Sequence, residues 1–286
     1  MTDAFEAERA RLLGLAYRIT GSRATAEDLV QEAWLRWRRA DHAAIERPAA
    51  WLTTATSRLA LDHLKAARHQ REAYVGPWLP DVVSTEQGPA EASELAESVT
   101  IGFLAVLERL SPVERVVFLM ADVFAVPFTE IASVVERSPD ACRQIAVRAR
   151  ARIRDGRPRF APTDDEAWQI TAAFLTAAQV GDLDSLVALL APDAVAISDG
   201  GPEVHAARRP VIASRIPRFA ANLAARTPDG TTVELRALNG QPGIALWKDG
   251  AVYQTIAFAV ANGVVQQILT VRNPEKLASL AASPII

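Results

Sequence analysis

The stretch that most constrains this chain runs from Arg137 to Arg154 and reads RSPDACRQIAVRARARIR. Ser138 and Pro139 are residue types that favour the N-cap and the first turn of a helix, so the sequence predicts that a helix begins there. Small or apolar residues then recur at steps of three and four and form one narrow stripe: Cys142, Ala146, Ala149 and Ile153. The other faces carry mainly arginine, with one glutamine. Such a helix can pack closely on a partner helix while it presents to DNA the side chains that suit base edges and phosphates.

The charge distribution along the chain supports a nucleic-acid partner, although the formal net charge is only −3. Eight Lys or Arg residues face three acids between positions 36 and 71, and seven Arg face one Asp between positions 141 and 160. Between these basic stretches, positions 81 to 108 hold six acids and no Lys or Arg. Phosphate binding depends on the local patch, so a near-neutral total does not argue against DNA.

Length and composition set the broad class of the protein. A chain of 286 residues is long enough for two or three domains. Its single cysteine, Cys142, cannot form an intramolecular disulfide, and its place on the apolar stripe favours a small buried side chain over a redox sensor. The charged N-terminal segment has no apolar core of the signal-peptide kind, and no window is apolar enough to span a membrane. We therefore expect a cytoplasmic protein without membrane segments.

Two helical blocks are predicted before residue 160. The first spans about residues 5 to 75 and contains three helices: Ala4–Thr20, Ala24–Arg39 and Ala49–Arg71. An acidic, proline-containing linker follows, with a docked anchor expected in its Trp78-Leu79-Pro80 segment. The second block begins near Glu94. It contains a capping box at Ser111 and Glu114, one long apolar helix over VERVVFLMADVF, and a short helix over FTEIASVVE before the arginine-rich helix.

Beyond Pro162 the pattern changes to an α+β domain. One more helix is predicted over Asp164–Gly181, followed by short β-branched runs bounded by DG, NG and GG turn signals. Hairpin turns are predicted at Trp247–Ala251 and Ala261–Val264. These signals predict a curved antiparallel sheet.

Three motifs in order give the helical part a family resemblance. AEDLVQEAWLRWRRA, RPAAWLTTATSRLALDHLKAARHQRE and the segment from LSPVERVVFLMADVF to RARARIR together resemble bacterial extracytoplasmic-function sigma factors over about residues 5 to 157. The resemblance implies two all-α sigma domains, a region 2 helical bundle at 1–75 and a region 4 helix-turn-helix at 99–158, joined by a linker at 76–98.

The resemblance also implies roles for individual residues. Contact with the β′ clamp of core RNA polymerase is expected from Asp28, Gln31, Glu32 and Trp34, and the polymerase β flap is a further expected partner. A plain alternative is that Trp34 belongs to the core and the acids form a solvated face. Binding of the melted −10 element is expected from Arg38, Arg39, Arg58, Asp62, His63 and Lys65, with Arg58 standing where many relatives carry Asn. Reading of the −35 element is expected from Arg143, Gln144, Arg148 and Arg150.

The C-terminal residues 163–286 resemble a SnoaL-like domain, an α+β cone related to NTF2-like folds. The motifs WLPDVV, SDGG and NPEKL resemble those of a subgroup of sigma factors that carry this domain. That resemblance implies an interdomain regulatory contact formed by Trp78, Leu79, Pro80, Asp199, Gly200, Gly201, Asn273, Pro274, Glu275, Lys276 and Leu277. The subgroup usually has Gly-Gly-Gly-Lys after the Asp, whereas this chain has Gly200, Gly201, Pro202 and Glu203, so nothing here supports a role for that lysine.

Catalysis by the C-terminal domain is not favoured by its sequence. Asp193, Asp199 and His205 are the nearest acid–base candidates, but Asp199-Gly200-Gly201 is explained more simply as a turn. No residues show metal-ligand spacing, and no cofactor is expected.

The resulting hypothesis is a sigma factor that binds core RNA polymerase and promoter DNA and is regulated in cis by its C-terminal domain. A small ligand in the SnoaL-like pocket is an additional candidate signal. Two alternatives remain open at this point: a SnoaL-type enzyme or ligand sensor fused to a helix-turn-helix regulator, and a helix-turn-helix regulator that never contacts polymerase.

Overall fold

The computed structural model describes residues 2–72, 74–83, 100–154, 164–278 and 280. The chain divides into two units, the first formed by residues 1–72 and 104–157 and the second by residues 73–103 and 158–286. Most of the expected acidic linker, from residue 84 to 99, lies outside the described residues, as does the extreme C-terminus.

The first unit is built from amphipathic helices that bury their apolar faces against one another. In chain order the helices are α1 (Thr2–Thr20), α2 (Arg23–Arg39), α3 (Pro48–Glu72), α4 (Ile101–Leu107), α5 (Pro112–Phe118), α6 (Phe128–Val135) and α7 (Pro139–Arg154). Helix α4 begins in the second unit and ends in the first. Helices α1 to α3 form one bundle, and α5 to α7 form a second group that packs on α3.

The predicted capping box is confirmed, but the long apolar helix that follows it is not continuous. Ser111 accepts a hydrogen bond from the backbone N–H of Glu114, whose carboxylate accepts one from the Ser111 N–H at 3.0 Å. Helix α5 then ends at Phe118, and one π-helical turn spans Leu119–Val123, with the Phe124 N–H bonded to the Leu119 carbonyl at 3.0 Å. The apolar run therefore does not form the single helix that was predicted, because one wider turn interrupts the α-helical hydrogen bonds.

The described part of the second unit combines helices with one curved sheet. Its helices are α8 (Asp164–Val180), α9 (Leu183–Ala188), α10 (Ile216–Ala225) and α11 (Pro274–Leu277). Its strands are β1 (Leu190–Asp199), β2 (Val211–Ile212), β3 (Thr232–Leu238), β4 (Gln241–Lys248), β5 (Ala251–Ala261) and β6 (Val264–Val271). They form one six-stranded sheet in the order β2-β1-β6-β5-β4-β3.

The hairpins of the sheet are confirmed, but the sheet is not purely antiparallel. Asp249-Gly250 and Asn262-Gly263 occupy the two predicted turns, with positive φ at each residue. Strand β1 instead pairs in parallel with β6. No tight turn joins these two strands, so hairpin geometry does not determine their relative direction. Register shifts within β4–β5 and β5–β6 add the bulges that bend the sheet.

The concave face of the sheet and helices α8 and α10 enclose the apolar core of the second unit. Phe174 on α8 packs its ring 5.1 Å from that of Phe258 on β5, and Ile216 at the start of α10 is fully buried. A cavity of about 840 Å³ remains between these layers, a volume suited to a small ligand.

Candidate nucleic-acid interface and linker contact

The turn before α7 sets the direction of the arginine-rich helix. Glu136 adopts the left-handed conformation at φ 56°, and the Arg137 N–H returns to the Ala132 carbonyl at 3.1 Å. Ser138 then caps α7, accepting a hydrogen bond from the Ala141 N–H at 3.2 Å. The predicted apolar stripe is confirmed as the buried side of the helix: Cys142, Ala146, Ala149 and Ile153.

The opposite side of α7 presents the residues expected to read the −35 element. Arg143, Gln144, Arg148 and Arg150 are all exposed. Arg143 forms an ion pair with Asp140 one turn earlier, and its guanidinium lies 5.7 Å from the ring centre of Phe128. Val147 lies among them and is 61% exposed, so the face offers an apolar contact beside its hydrogen-bond donors.

The fourth residue, Arg150, is held by a side chain that the sequence analysis did not identify. Its Nε lies 3.0 Å from both carboxylate oxygens of Asp122, and its Nη2 lies 2.7 Å from Oδ1. This hydrogen-bonded pair raises the pKa of Arg150 above its ordinary value. Arg150 is thus fixed to the π-helical turn, whereas the ion pair of Arg143 lies within α7 itself. A sequence separation of 28 residues gives no local signal for this pair.

A second arginine on α7 also anchors the helix to its own domain. Arg152 donates to the Glu114 carboxylate at 2.7 Å. Burial alone would raise the pKa of Glu114, but hydrogen bonds from Ser111 and the charge of Arg152 hold it below the ordinary value. The Cys142 thiol behaves as a core group, since burial raises its pKa and disfavours the reactive thiolate.

Helix α2 carries the residues expected to contact core polymerase. Asp28 and Gln31 are exposed, and Glu32 is half-buried in an ion pair with Arg36 at 3.0 Å. Spacings of three and four residues place the three side chains on one face. Trp34 is half-buried and packs its ring 4.8 Å from Phe5, so it combines packing with partial exposure.

The residues expected to bind the −10 element lie on α3 and on the end of α2. Arg38, Arg39 and Arg58 are exposed, and His63 is half-buried. Asp62 and Lys65 form a loose exposed ion pair at 3.9 Å. A cleft of about 530 Å³ opens beside Arg58 and is also lined by Trp51 and Arg47, among others. A cleft with an aromatic ring and guanidinium groups has the composition needed to hold an unstacked base.

Side chains of α6 reach into this cleft. Glu130 accepts from the Arg47 Nη1 at 2.6 Å, and the backbone carbonyl of Ser133 accepts from the Arg58 Nη2 at 2.7 Å. A further bond links the same two groups of helices, since Arg115 donates to the Ile19 carbonyl at 2.9 Å in a buried position. Arg58 of the expected −10 surface, and Arg47 in the same cleft, are therefore bonded to the first helix of the helix-turn-helix.

The second unit brings the three short motifs together around one buried carboxylate, that of Asp199. Asp199 is fully buried and lies 2.6 Å from the Nζ of Lys276, which is 8% exposed. The same carboxylate accepts from the Tyr74 hydroxyl at 2.6 Å and from the Leu79 N–H at 2.8 Å. Lys276 also donates to the Leu79 carbonyl and lies 3.9 Å from the ring centre of Trp78. Asp199 and Lys276 therefore hydrogen-bond to the N–H and the carbonyl of Leu79, respectively.

Asn273 and Gly201 complete this contact. Asn273 donates from Nδ2 to the Tyr74 hydroxyl at 2.9 Å and caps α11 by accepting from the Glu275 N–H at 3.0 Å. Gly201 has φ +65°, and a Cβ there would lie 2.7 Å from the Asn273 amide nitrogen, so only glycine fits. A Cβ on Gly200 would collide with the Val204 carbonyl. We refer to Tyr74, Leu79, Asp199, Asn273 and Lys276 as the Asp199 cluster.

The remaining residues of the expected regulatory contact divide into buried and exposed ones. Pro80 and Leu277 are buried, whereas Pro274 and Glu275 are exposed and begin helix α11. Tyr74 was not identified from the sequence. Burial, followed by its bond to Asp199, raises the pKa of Tyr74 well above its usual value and keeps the hydroxyl a donor.

A second contact holds the far end of the described linker segment. The Val83 N–H donates to the side-chain oxygen of Asn239 at 3.1 Å, and the Asn239 N–H donates to the Val83 carbonyl at 2.8 Å. Residues 100–103, where the chain returns from the linker, also belong to this unit, and Ile101 is buried there. Asn239 was missed because an Asn-Gly pair reads only as a hairpin turn.

The described residues do not place the acid–base candidates together in the large cavity. Asp193 and His205 are exposed, Asp199 is enclosed in its ion pair, and none of the three lines the cavity. Within the described ranges no group of three or more His, Cys, Asp or Glu residues could hold a metal ion. In the same part of the chain, no helix combines the length and the hydropathy that a membrane span requires.

Comparisons with known proteins agree with this geometry. The family model of Sigma-70 region 2 matches residues 4–70, and that of Sigma-70 region 4 matches residues 102–153. The ECF RNA polymerase sigma factor SigJ of Mycobacterium tuberculosis is 39% identical over 95% of this chain and 91% of its own length. SigI of the same species, described as a probable ECF RNA polymerase sigma factor, is 32% identical over 99% of this chain and 96% of its own length.

A solved structure extends the likeness to the whole fold. The crystal structure of M. tuberculosis SigJ matches with a TM-score of 0.79 and 36% identity, covering 98% of this chain and 99% of that one. The predicted fold class is confirmed, with helical sigma regions followed by a C-terminal helix-and-sheet domain of the SnoaL-like kind. The named relatives are sigma factors, which are not enzymes, so the enzyme alternative is not favoured. With both sigma regions present and with relatives that match it from end to end, the chain belongs to the extracytoplasmic-function RNA polymerase sigma factors.

Proposed function

We propose that α7 reads the −35 element through Arg143, Gln144 and Arg148, while α3 and the end of α2 bind the melted −10 strand. The support is the exposure of these side chains on two basic surfaces. Arg and Gln suit base edges in the major groove, and the Trp51 cleft suits an unstacked base. Arg150, tied to Asp122, contributes through its charge and through the orientation of α7.

The acidic face of α2 is the proposed contact for the β′ clamp of core polymerase. Asp28, Gln31 and Glu32 offer acceptors to basic side chains, and Trp34 offers an apolar edge. Region 4 is the proposed contact for the β flap. A factor that recruits polymerase to bacterial promoters acts in the cytoplasm, where that DNA lies.

The described first unit corresponds, in this proposal, to a closed state that must open on promoter DNA. The −35 and −10 elements lie about 25 base pairs apart, or about 85 Å along B-form DNA at 3.4 Å per base pair. The bonds from Arg47 to Glu130 and from Arg58 to Ser133 instead join the −10 surface to α6, the helix that precedes the −35 reading helix. Opening exchanges these bonds for contacts with DNA and polymerase.

The C-terminal domain is proposed to restrain that opening by holding the linker. The roughly 29 residue steps from Glu72 to Ile101 could extend to about 100 Å, enough to join the two elements. Residues 74–83 and 100–103 both belong to the second unit, so the chain between the reading regions is held near both ends. The observation that carries this proposal is the buried Asp199 cluster, which binds both polar groups of the Leu79 backbone. A small ligand in the large cavity is the proposed signal.

The proposal is tested by transcription with core polymerase and the full chain, comparing wild type with three variants. We expect Lys276→Met and Trp78→Ala to raise promoter output, because both loosen the held linker. Arg209→Met is a matched control, since Arg209 is an exposed cation of the same unit. Unchanged output from both linker variants would contradict cis regulation, whereas no output from any form would contradict sigma activity itself.

A further inference from the structure

The large cavity of the second unit has chemically distinct ends. Its lining at one end is apolar, with Phe174, Ala196, Phe258 and Ile268 around it. Residues that alternate along the neighbouring strands share the concave face, and β5 pairs with β6 at Phe258 and Ile268. The interior half of the cavity is therefore a lipophilic surface.

The other end is polar and mostly basic. Thr255 on β5 pairs with Val271 on β6, so the next position along each strand brings Gln254 beside Arg272. Gln254 lies four residues, or about 13 Å along the strand, from Phe258. Gln254 and Thr270 are more than nine-tenths buried and both line the cavity. Across the described chain the buried Nε of Arg272 lacks a partner, although its Nη1 donates to the His205 carbonyl at 2.7 Å.

The charges at this end favour an anion. Arg226, Lys248 and Arg272 line the cavity, against one acid, Asp249; of these four, Arg226, Lys248 and Asp249 are exposed. A carboxylate placed between Gln254 and Arg272 would accept hydrogen bonds from the Gln254 amide and from the buried Arg272 Nε, which lacks a partner among the described residues, and a buried donor left without a partner is costly. An apolar chain attached to that carboxylate would cover the ring of Phe258.

We propose that the cavity binds an amphipathic carboxylate, with its head on Arg272, Gln254 and Thr270 and its apolar chain against Phe258 and Ile268. This inference rests on the proposed cis regulation and names the kind of signal it would take.

The position of Arg272 gives such a ligand a direct route to the linker. Arg272 precedes Asn273 in the chain, and its backbone N–H donates to the Asp199 carbonyl at 2.7 Å. A head group bound to Arg272 therefore lies one residue from the Asp199 cluster. Binding there changes how firmly Leu79 is held.

The test uses the full chain, with dodecanoate as the probe and dodecanol as its uncharged match, in titration calorimetry below the micellar range. We expect dodecanoate to bind at least about tenfold more tightly than dodecanol, because the carboxylate accepts a charge-assisted hydrogen bond from Arg272 where the alcohol accepts one at a neutral oxygen. Arg272→Gln should abolish this preference, and Leu223→Trp, which adds a ring at the partly exposed α10 side of the cavity, should weaken both ligands. Arg209→Gln, outside the cavity, should leave both affinities unchanged.

A second readout keeps the result independent of how well each variant folds. Saturating dodecanoate should change the hydrogen-exchange rate of the Leu79 amide in the wild-type chain, and dodecanol should change it less. Equal affinity for the two ligands would overturn the anionic head, and no binding of either would overturn the ligand class. Binding without any change at Leu79 would overturn the coupling. None of these outcomes affects the transcription test, so failure here is distinguishable from failure of the proposed regulation.

Discussion

Replacing Lys276 with methionine tests the linker contact where the structure concentrates it. Lys276 is 8% exposed and Asp199 is fully buried, and their charged atoms lie 2.6 Å apart. Methionine keeps the length and the apolar stem of the side chain but removes the charge. Asp199 would then keep its hydrogen bonds from Tyr74 and Leu79 but would lose its ion pair with Lys276.

The size of the effect follows from the burial of the pair. Removing one partner of a buried ion pair costs about 3–5 kcal/mol, because the other charge remains buried without compensation. The substitution also removes the bond to the Leu79 carbonyl and the cation–π contact with Trp78. If the substitution lowers the free energy of local opening at the linker by only the lower figure, about 3 kcal/mol, the Leu79 amide should exchange at least about 100-fold faster.

Hydrogen exchange at Leu79, read by NMR or by residue-resolved mass spectrometry, measures this opening directly. Arg209→Met provides the control for loss of an exposed cation in the same unit. In an Asp199→Asn background the charge on Lys276 has no carboxylate to pair with, so the further change Lys276→Met should have less than a tenfold effect. An unchanged Leu79 rate in Lys276→Met, or equal effects in both backgrounds, would mean that the ion pair with Asp199 does not hold Leu79.

Three further predictions address the DNA surfaces and the tyrosine. Arg143→Ala should lower discrimination between cognate and altered −35 duplexes by about 1–3 kcal/mol in a binding competition, and equal weakening on every sequence would mean that it contacts only phosphate. Glu130→Ala should free Arg47, so that the chain binds a random-sequence single strand of DNA more tightly and with a steeper salt dependence, as measured by fluorescence anisotropy. Glu46→Ala is the control, because Glu46 is a nearby exposed acid outside this pair. An equal gain in affinity from Glu46→Ala would contradict the role of Glu130. Tyr74 has a raised pKa in the folded state, so its stabilising bond is fully present below the unfolded value near 10 and is lost as the pH rises above it. The difference in urea stability between wild type and Tyr74→Phe should therefore be constant up to about pH 10 and shrink beyond it, and a difference that grows with pH would contradict this sign.

Much of the fold could be predicted from local patterns in the sequence. The stripe of Cys142, Ala146 and Ala149 follows directly from helical periodicity, and all three side chains are buried. The Ser111–Glu114 box and the Asp249-Gly250 turn depend on neighbouring residues alone, and both occur where expected. Signals of this kind are readable because the residues that interact are close in the chain.

What the sequence did not predict depends on partners distant in the chain. Nothing near β1 specifies parallel pairing with β6, and nothing near Arg150 points to Asp122. Tyr74 meets Asp199 across 125 positions, and Arg47 meets Glu130 across 83. The motifs around Asp199 and Lys276 were recognised as related segments. Their arrangement as one buried ion pair around the Leu79 backbone required the tertiary structure.

Transcription on fragmented genomic DNA with core polymerase, with the full chain and without it, tests both sigma activity and its restraint by the C-terminal domain. RNA 5′ ends that depend on the chain should share one motif near −35 and one near −10. Lys276→Met should raise their yield while leaving both motifs unchanged. Start sites that were the same with the chain present as with core polymerase alone would contradict sigma activity.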